Sequence, residues 1–489
     1  MTKYSKEFYW AFIIAAIICF SPSKIVAYGV PYIFLGYLLA KNIEVKRTVM
    51  TLYALLAVSL LSYFFYYSLY GNTVFQNHLL TLLTYSSFIP VLIVDNRKIA
   101  QPHLFKKIFA FLSILFLLQG SVGIIQAAYG AIILNKGFDS VNGDHVEGTI
   151  HLSLEPELSF SNPMFAVNMT FIGMALLVQH FVYEDGKKHR LFIGFLSLIL
   201  ASVMHVLLLA FVSAILFYLV IRPEFAFITN SVRTVRARLK RTSIKLFLII
   251  FMFFIIGVPV YFLSHNVSLI ESFVTKTFLA QTPKAKITID AFDKLPDRYP
   301  LFPVFGFGPG QFTSRASLIG SGVYLGGVDN PQSPPLLQSK INPVADKVLI
   351  PYLYESQQKK YLGSTGFPHY SWLSVYSEMG GIVFFSLTLF ALYLIIRVIK
   401  RAGKSKAHRF TAFLFCTGLG LLYLLGMHEN YWEVPQAIFL GVLILKIMYA
   451  GVMHLENFND VTYGLLSRET FEGYVNNQQQ EQVSLDDKA

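Results

Sequence analysis

Charge and cysteine are both scarce in this chain. Only 14% of its 489 residues are charged, whereas a soluble domain carries about 25%. Its two cysteines, Cys19 and Cys416, each lie inside an apolar run, which argues against a disulfide framework and against a cysteine-based zinc site. Hydrophobic residues, by contrast, make up 54% of the chain. These features exclude a soluble domain and favour a polytopic membrane protein.

Long apolar blocks alternate with polar linkers over most of the sequence. Since a transmembrane helix needs about 20 residues, we predict an all-α polytopic membrane protein with about twelve transmembrane helices. The residues after the first block, Phe20, Ser21 and Pro22, do not form a signal-peptide cleavage site, so the first helix is expected to be retained. The blocks run approximately over residues 8–20, 25–40, 48–70, 74–94, 108–134, 160–183, 191–221, 245–264, 378–396, 411–427 and 435–450.

Basic residues outnumber acidic ones and give a net charge of +12. They gather in short linkers between apolar blocks, which follows the positive-inside rule of membrane proteins and argues against a nucleic-acid partner. We therefore place these linkers and both termini in the cytoplasm. The basic linkers are residues 41–47, 95–107, 184–190, 222–241 and 397–409.

The block 191–221 lies between two basic linkers and must therefore cross the membrane an even number of times. Its length suits neither one ordinary span nor two full ones, so we predict two short helices that break near residues 202–205. The turn between them would hold backbone polar groups at membrane depth. His205 would lie at this turn, either as a functional residue or as a neutral, hydrogen-bonded support for the turn.

This topology divides the chain into four parts. We predict an N-terminal transmembrane bundle at 1–264, a large, partly helical extracytoplasmic loop at 265–367, C-terminal transmembrane helices at 368–450 and a polar cytoplasmic tail at 451–489. The tail is rich in Asn and Gln and is expected to be disordered. The loop 265–367 is where we expect chemistry.

Three alternating glycines, Gly306, Gly308 and Gly310, surround Pro309 within this loop. They lack the spacing and the Lys-Ser/Thr pair of a nucleotide-binding P-loop. A turn of this composition can expose several backbone N–H groups and hold an anion. A purely structural turn is the alternative.

His369 lies where the loop returns to the membrane, shortly before Glu378. A histidine at this boundary can take a proton from a hydroxyl group. Alternatively, the segment anchors the chain at the interface, because Tyr370 and Trp372 are typical of an aromatic belt.

Further polar candidates flank these motifs. Glu155 and Glu157 precede the sixth span and either position sugar hydroxyls or a cation, or are a chance pair. Basic residues on an outer loop favour an anionic ligand such as a pyrophosphate. Arg298 and Arg315 flank the glycine turn and are the better candidates among them.

The order of these motifs resembles that of the O-antigen ligase and Wzy-type polysaccharide polymerase superfamily. The resemblance combines the layout of about twelve spans and one large outer loop with three local motifs. Glu155-Pro156 is also similar to a Glu-Pro-Ser motif of exopolysaccharide polymerases, with Glu157 in place of the serine. The three motifs are Tyr299-Pro300-Leu301-Phe302 followed by Gly306, Gly308, Gly310 and Phe312; His369 with Leu373; and Glu378 with Gly380.

The resemblance implies a metal-independent and cofactor-independent glycosyltransferase of the bacterial inner (cytoplasmic) membrane. It would act on undecaprenyl-diphosphate-linked glycans, as donor and acceptor, on the extracytoplasmic face of the lipid bilayer. A flippase and a chain-length regulator are the expected partners. His369 would be the catalytic base that deprotonates the acceptor hydroxyl. The implied substrate-binding residues are Glu155, His205, Lys286, Arg298, Gly306, Gly308, Gly310, Arg315 and Glu378.

Two positions depart from the family pattern. Lys286 stands in the register of an arginine that commonly precedes the glycine turn, and residues 202–205 stand where the family often has Ser-Arg. We expect a Wzy-like polymerase that joins lipid-linked repeats into O-antigen or exopolysaccharide. An O-antigen ligase that transfers glycan to lipid A core is the alternative, and a transporter or flippase is a third reading. A transporter or flippase would need ionisable residues near the middle of its spans, and His205 is the main example in this chain.

Overall fold

The computed structural model describes only part of the chain, and all regular structure within that part is helical. Glu155, Glu157, the apolar block 245–264 and nearly all of the tail 451–489 lie outside the described residues. The described ranges are 2–133, 146–151, 162–182, 188–201, 203–221, 279, 281–332, 340–358, 368–403 and 405–455.

The helices are numbered in chain order, and short 3-10 turns at Ser86–Phe88, Gly148–Ile150 and Tyr431–Glu433 connect some of them. The helices are α1 (Lys3–Cys19), α2 (Lys24–Tyr28), α3 (Val30–Ala40), α4 (Val45–Tyr70), α5 (Phe75–Tyr85), α6 (Ile89–Ile93), α7 (Asn96–Ile99), α8 (Pro102–Ile132), α9 (Asn162–Val182), α10 (Lys188–Leu200), α11 (Met204–Ile221), α12 (Pro283–Phe292), α13 (Lys294–Arg298), α14 (Phe302–Phe305), α15 (Arg315–Gly320), α16 (Val323–Gly326), α17 (Pro343–Gln358), α18 (Ser371–Ala402), α19 (Lys406–His428) and α20 (Pro435–His454).

Six of these helices, α4, α8, α9, α18, α19 and α20, are long and apolar enough to cross a membrane. The pair α10 and α11 is bent by 120° and would add a seventh if it is one broken span. The block 191–221 is thus divided between two helices, with the break at residues 201–203. The all-α, membrane-embedded class is confirmed, whereas the count of about twelve spans is not. Several predicted blocks are interrupted: α3 has 11 residues and the block 74–94 is split into α5, a 3-10 turn and α6.

The main core lies between α1, α3, α8, α9, α19 and α20. Glycines let large rings approach the neighbouring backbone, as is common where membrane helices pack. A Cβ at Gly194 on α10 would overlap the ring of Phe116 on α8, and one at Gly441 on α20 would overlap Phe171 on α9. This rigid bundle supports the polar end where the site lies.

A second core joins the segment 281–358 to the start of α18. Phe307 lies between Phe302 and Phe312, at ring-centroid distances of 4.5 and 5.5 Å. Leu349 of α17 and Leu373 of α18 are also buried in this core. These contacts fix α12 to α17 as a cap on the bundle.

Helix α18 is broken at Gly380, whose φ of 80° is outside the helical range. A Cβ at this position would overlap the carbonyl oxygen of Val304, so α14 can cross α18 only where the residue is glycine. Below the break most of the apolar side chains of α18 are exposed, as expected of a surface that contacts lipid. The upper turns of α18 therefore belong to the cap and the lower turns to the membrane.

Candidate functional site

The glycine turn binds the carboxyl group of Glu378. One carboxylate oxygen accepts hydrogen bonds from the backbone N–H groups of Phe312 and Ser314, each at 2.8 Å, and the other accepts from Gly310 at 2.5 Å. Glu378 is fully buried. Carboxylates that accept several backbone N–H bonds form some of the strongest hydrogen bonds in proteins. The turn and the upper part of α18 are therefore joined through this one side chain.

The glycines of the turn are required by close packing and by their backbone conformation. Gly306, Gly308 and Gly310 have φ values of 71°, 101° and 75°, which L-residues with side chains rarely adopt. A Cβ at Gly310 would overlap the carbonyl oxygen of Asn77. The substrate-binding role of these glycines and of Glu378 stays a prediction, and the described geometry gives them a structural role.

A short connector, residues 428–433, lies between α19 and α20 and touches the other segments of the site. Its Glu429 carbonyl accepts a hydrogen bond from the backbone N–H of Ser371 at 3.2 Å. Asn430 donates to the carbonyl of Thr313 at 3.2 Å, and the N–H of Trp432 donates to the Ser371 hydroxyl at 3.1 Å. The connector is thus fastened both to the start of α18 and to the segment that follows the glycine turn.

Glu433, at the end of the connector, is a fully buried carboxyl group. Its two oxygens accept hydrogen bonds from the backbone N–H of Arg315 at 2.7 Å and from the hydroxyl of Tyr85 at 3.1 Å. Burial and the nearby charge of Glu378 raise the pKa of Glu433 to about 8, although Arg315 and Tyr85 act in the opposite direction. The surroundings of Glu433 therefore favour its neutral form.

Arg315 begins α15 and places its guanidinium against Tyr324. The guanidinium carbon lies 4.8 Å from the centre of the Tyr324 ring, and the guanidinium also donates to the Tyr324 hydroxyl. Burial disfavours its charge, but Tyr28, Tyr324 and Glu433 outweigh burial and raise the pKa of Arg315 above its usual value. Arg315 is a permanent cation in this site.

His205 lies at the start of α11, beside the break after α10, and stacks on His428. The two imidazole rings are 4.0 Å apart and inclined by only 6°. His205 also forms a hydrogen bond of 2.6 Å with the hydroxyl of Tyr431. The hydrogen bond between His205 and Tyr431 therefore joins the broken helix pair to the connector.

Lys284 enters the same region from the first turn of α12. Its ammonium group donates to the carbonyl oxygen of His428 and lies 4.9 Å from the centre of the Tyr370 ring. Burial lowers the pKa of Lys284 to about 8, and the charge of Glu429 partly opposes this effect. Lys284 is therefore a cation at neutral pH that loses its charge in mildly alkaline solution.

His369 lies two residues before α18 and interacts electrostatically with both cations, Arg315 and Lys284. Burial, together with the positive charges of Arg315 and Lys284, lowers the pKa of His369 to about 3. The imidazole is therefore neutral at physiological pH and available to accept a proton. We refer to Lys284, Arg315, His205, His369 and His428 together as the basic cluster.

The sequence candidates separate into three groups. His205, Arg315 and His369 meet in the basic cluster, and Glu378 with the three glycines forms the neighbouring turn. Lys286 instead pairs with Glu355, at 2.7 and 2.9 Å, and Arg298 is exposed on α13. Residues two apart on a helix point to different sides, so Lys284 faces the connector and Lys286 faces α17. Lys284, and not the predicted substrate-binding residue Lys286, thus belongs to the basic cluster.

Sequence reasoning did not single out His428, Tyr431 or Glu433. The signal was present, because the connector carries His, Glu, Asn, Tyr and Trp between two apolar blocks. Such a density of polar groups in a six-residue linker is more than a turn between two spans requires. It was overlooked because the linker is not basic and carries no known motif.

The chemistry of the basic cluster suits an anion and a proton transfer. The charges of two half-buried side chains, Arg315 and Lys284, act on the neutral imidazole of His369, and tyrosine hydroxyls contact the cluster. Among the described residues, no group of three or more His, Cys, Asp or Glu side chains is arranged to hold a metal ion. Comparison with protein-family models, curated proteins and solved structures finds no match to this chain.

Proposed function

We propose that this protein is a membrane glycosyltransferase that joins lipid-linked oligosaccharide repeats, in the manner of a Wzy-like polymerase. The observation that carries the proposal is the position of His369, a neutral imidazole in the field of two half-buried cations, Arg315 and Lys284. The motifs that resemble the polymerase and ligase superfamily support the same chemistry. The residues involved come from the large loop, from the start of α18 and from the connector.

The donor's diphosphate would be bound by Arg315 and Lys284. Arginine offers several fixed N–H donors to phosphate oxygens, and lysine contributes a compact charge. Arg315 remains charged throughout the physiological pH range, and Lys284 is charged at neutral pH. As the bond between the sugar and the diphosphate breaks, negative charge grows on the phosphate oxygens, and both cations stabilise it.

His369 would act on the acceptor sugar. Its imidazole accepts the proton of the acceptor hydroxyl while that oxygen attacks the anomeric carbon of the donor sugar, and the lipid diphosphate leaves with the bonding electron pair. Before the donor binds, two positive neighbours depress the basicity of His369. A bound diphosphate offsets both charges, so His369 becomes a stronger base only when the donor is in place.

The charge distribution supports an extracytoplasmic location for this step. Neither the segment that contains the glycine turn nor the connector belongs to the basic linkers that we assign to the cytoplasm. Lipid-linked repeats that have crossed the membrane would therefore meet the site from the outer leaflet.

The glycan profile of a deletion strain tests the proposal. Loss of the gene should leave single repeats attached to their final carrier, because repeats are made but not joined. Accumulation of long lipid-linked polymer would instead identify a ligase, and an unchanged profile would contradict both activities. Wild-type protein should restore the polymer, and His369→Ala at equal membrane abundance should not.

A further inference from the structure

Four large apolar side chains of the cap are exposed although they adjoin its buried core. They are Ile289, Phe292, Leu301 and Val304, with exposed fractions between 41 and 59%. The first two lie three residues apart on α12 and therefore share a face of that helix. Phe292 also stacks on Tyr376 of α18, at a ring-centroid distance of 4.5 Å. We call these four residues the apolar rim.

The rim meets α18 where the lipid-facing part of that helix begins. A Cβ at Gly381 would lie only 2.7 Å from the carbonyl oxygen of Pro303, so the backbone of α14 rests on α18 at this level. The next exposed residues of α18 are Ile382 and Phe385, on a helix long and apolar enough to span a membrane. The exposed side chains of the rim thus continue a surface that contacts lipid.

The same short helix, α14, also contacts the upper end of α4, another candidate span with a largely exposed apolar surface. The Phe305 ring packs on that of Phe65, at a centroid distance of 5.3 Å. The hydroxyls of Tyr66 and Tyr70 donate to the carbonyls of Phe305 and Gly306, at 2.6 and 2.8 Å. Tyrosines at the end of a transmembrane helix are typical of the boundary between lipid and water. Helix α14 is therefore fastened at this boundary to two helices that face lipid.

The charges beside the rim argue against an electrostatic partner. Three acidic residues accompany two basic ones between the two halves of the rim, and Lys294 pairs with Asp290 at 2.7 Å. Binding of anionic lipid headgroups usually requires a cluster of Lys and Arg, which this segment lacks. The charged residues are Asp290, Asp293, Lys294, Asp297 and Arg298.

We propose that the apolar rim inserts into the surface of the lipid bilayer and anchors the cap to the membrane. Amphipathic segments of this kind bury their apolar face by about 5 to 10 Å and leave their charged side chains in the headgroup layer. Lys284 precedes Phe292 by eight residues on α12, which is about 12 Å along the helix axis. The anchor would therefore hold the basic cluster close to the lipid surface. This inference does not depend on the glycosyltransferase activity proposed above.

Spin labelling of the full-length protein in lipid nanodiscs tests the proposal. Phe292→Cys, Leu301→Cys and Val304→Cys are made singly and labelled with a nitroxide, so that failure of one variant to fold leaves two others. The two native cysteines are fully buried, and wild-type protein treated with the label gives their background. Electron paramagnetic resonance then measures how often each label collides with oxygen, which concentrates in lipid, and with the polar complex nickel ethylenediaminediacetate, which stays in water.

Two further labelled positions calibrate the measurement. Phe385→Cys lies on the lipid-facing part of α18, and Lys347→Cys replaces an exposed charged residue of α17. At the rim, we expect a ratio of oxygen to nickel accessibility close to that at Phe385 and about fivefold to tenfold higher than that at Lys347, because apolar surroundings exclude polar solutes.

Two other outcomes would overturn the proposal. A ratio at the rim equal to that at Lys347 would place these side chains in water. Low accessibility to both reagents would show that protein covers the rim, and broadening of the spectra by neighbouring spins would identify that protein as a second copy of the chain.

Discussion

The glycine turn and the basic cluster are neighbours that handle charge in opposite ways. In the turn, three backbone N–H groups converge on one carboxylate of the same chain, Glu378, and the arrangement is complete within the protein. In the cluster, the two cationic groups rest on tyrosine rings and on a carbonyl oxygen. The motif most conspicuous in the sequence therefore secures the structure, while the ligand site that we propose is built from residues dispersed along the chain.

We expect the largest difference between the two regions when Glu378→Ala, in the glycine turn, is compared with His369→Ala, in the basic cluster. Removal of Glu378 leaves three buried N–H groups without their acceptor, and each unsatisfied buried donor costs about 1 to 3 kcal/mol. We expect loss of folded protein from the membrane and a lower melting temperature in detergent. His369→Ala should leave both quantities unchanged. A folded, active Glu378→Ala variant would contradict a structural role for the turn.

The catalytic activity of His369→Ala tests the role that we propose for the basic cluster. Loss of a general base lowers rates by about 10²- to 10⁴-fold, so chain extension should be abolished while membrane abundance is kept. Lys286→Ala is the matched control, because Lys286 pairs with Glu355 away from the cluster. Polymer of normal length from His369→Ala would refute the catalytic role.

A smaller effect is expected from the arginines that flank the turn. Arg315→Ala should weaken diphosphate binding by about 10- to 150-fold, which corresponds to one charge-assisted contact of roughly 1.5 to 3 kcal/mol. Arg298 is exposed on α13, so Arg298→Ala should stay close to wild type. Calorimetric titration of both variants with P1,P2-dimethyl diphosphate checks this difference. Equal losses of diphosphate affinity in the two variants would show that Arg298 also contributes to the binding site.

The smallest expected effect concerns pH. Lys284 is charged below pH 8 and neutral above it, because burial lowers its pKa to about 8. Binding of a diphosphate should therefore weaken as pH rises from 7 to 9, and Lys284→Arg should lessen this loss by up to tenfold at pH 9. An identical pH profile for wild type and Lys284→Arg would exclude Lys284 as a ligand.

Sequence reasoning named several residues of the candidate site, and the residues it missed were missed for physical reasons. His205 and His369 could be predicted because an ionisable residue next to an apolar block is costly without a purpose. Lys284 could not be distinguished from Lys286 without knowing which face of α12 meets the connector. Glu433 depends on a contact with Arg315 across 118 positions of the chain, and no local pattern encodes such a contact.

The fold, like the site, could be predicted only in part from the sequence. Composition and hydropathy were enough for an all-α membrane protein, because a helix satisfies its own backbone in lipid. The number of spans depends on where helices stop. The block 74–94 reads as one apolar stretch, yet it is interrupted at Ser86–Phe88. Packing against neighbouring segments determines where a helix is interrupted. The hydropathy of the sequence carries no information about that packing.

The connector 428–433 has one further consequence, for how substitutions combine. Its six residues contact α5, α11, α12, α15 and α18 through Glu433, Tyr431, the His428 carbonyl and Glu429. Residues that share one backbone segment show coupling energies of about 0.5 to 3 kcal/mol, so double variants such as Tyr431→Phe with Arg315→Ala should deviate from the sum of their single effects. Residues supplied by five separate helices would then behave genetically as a single unit.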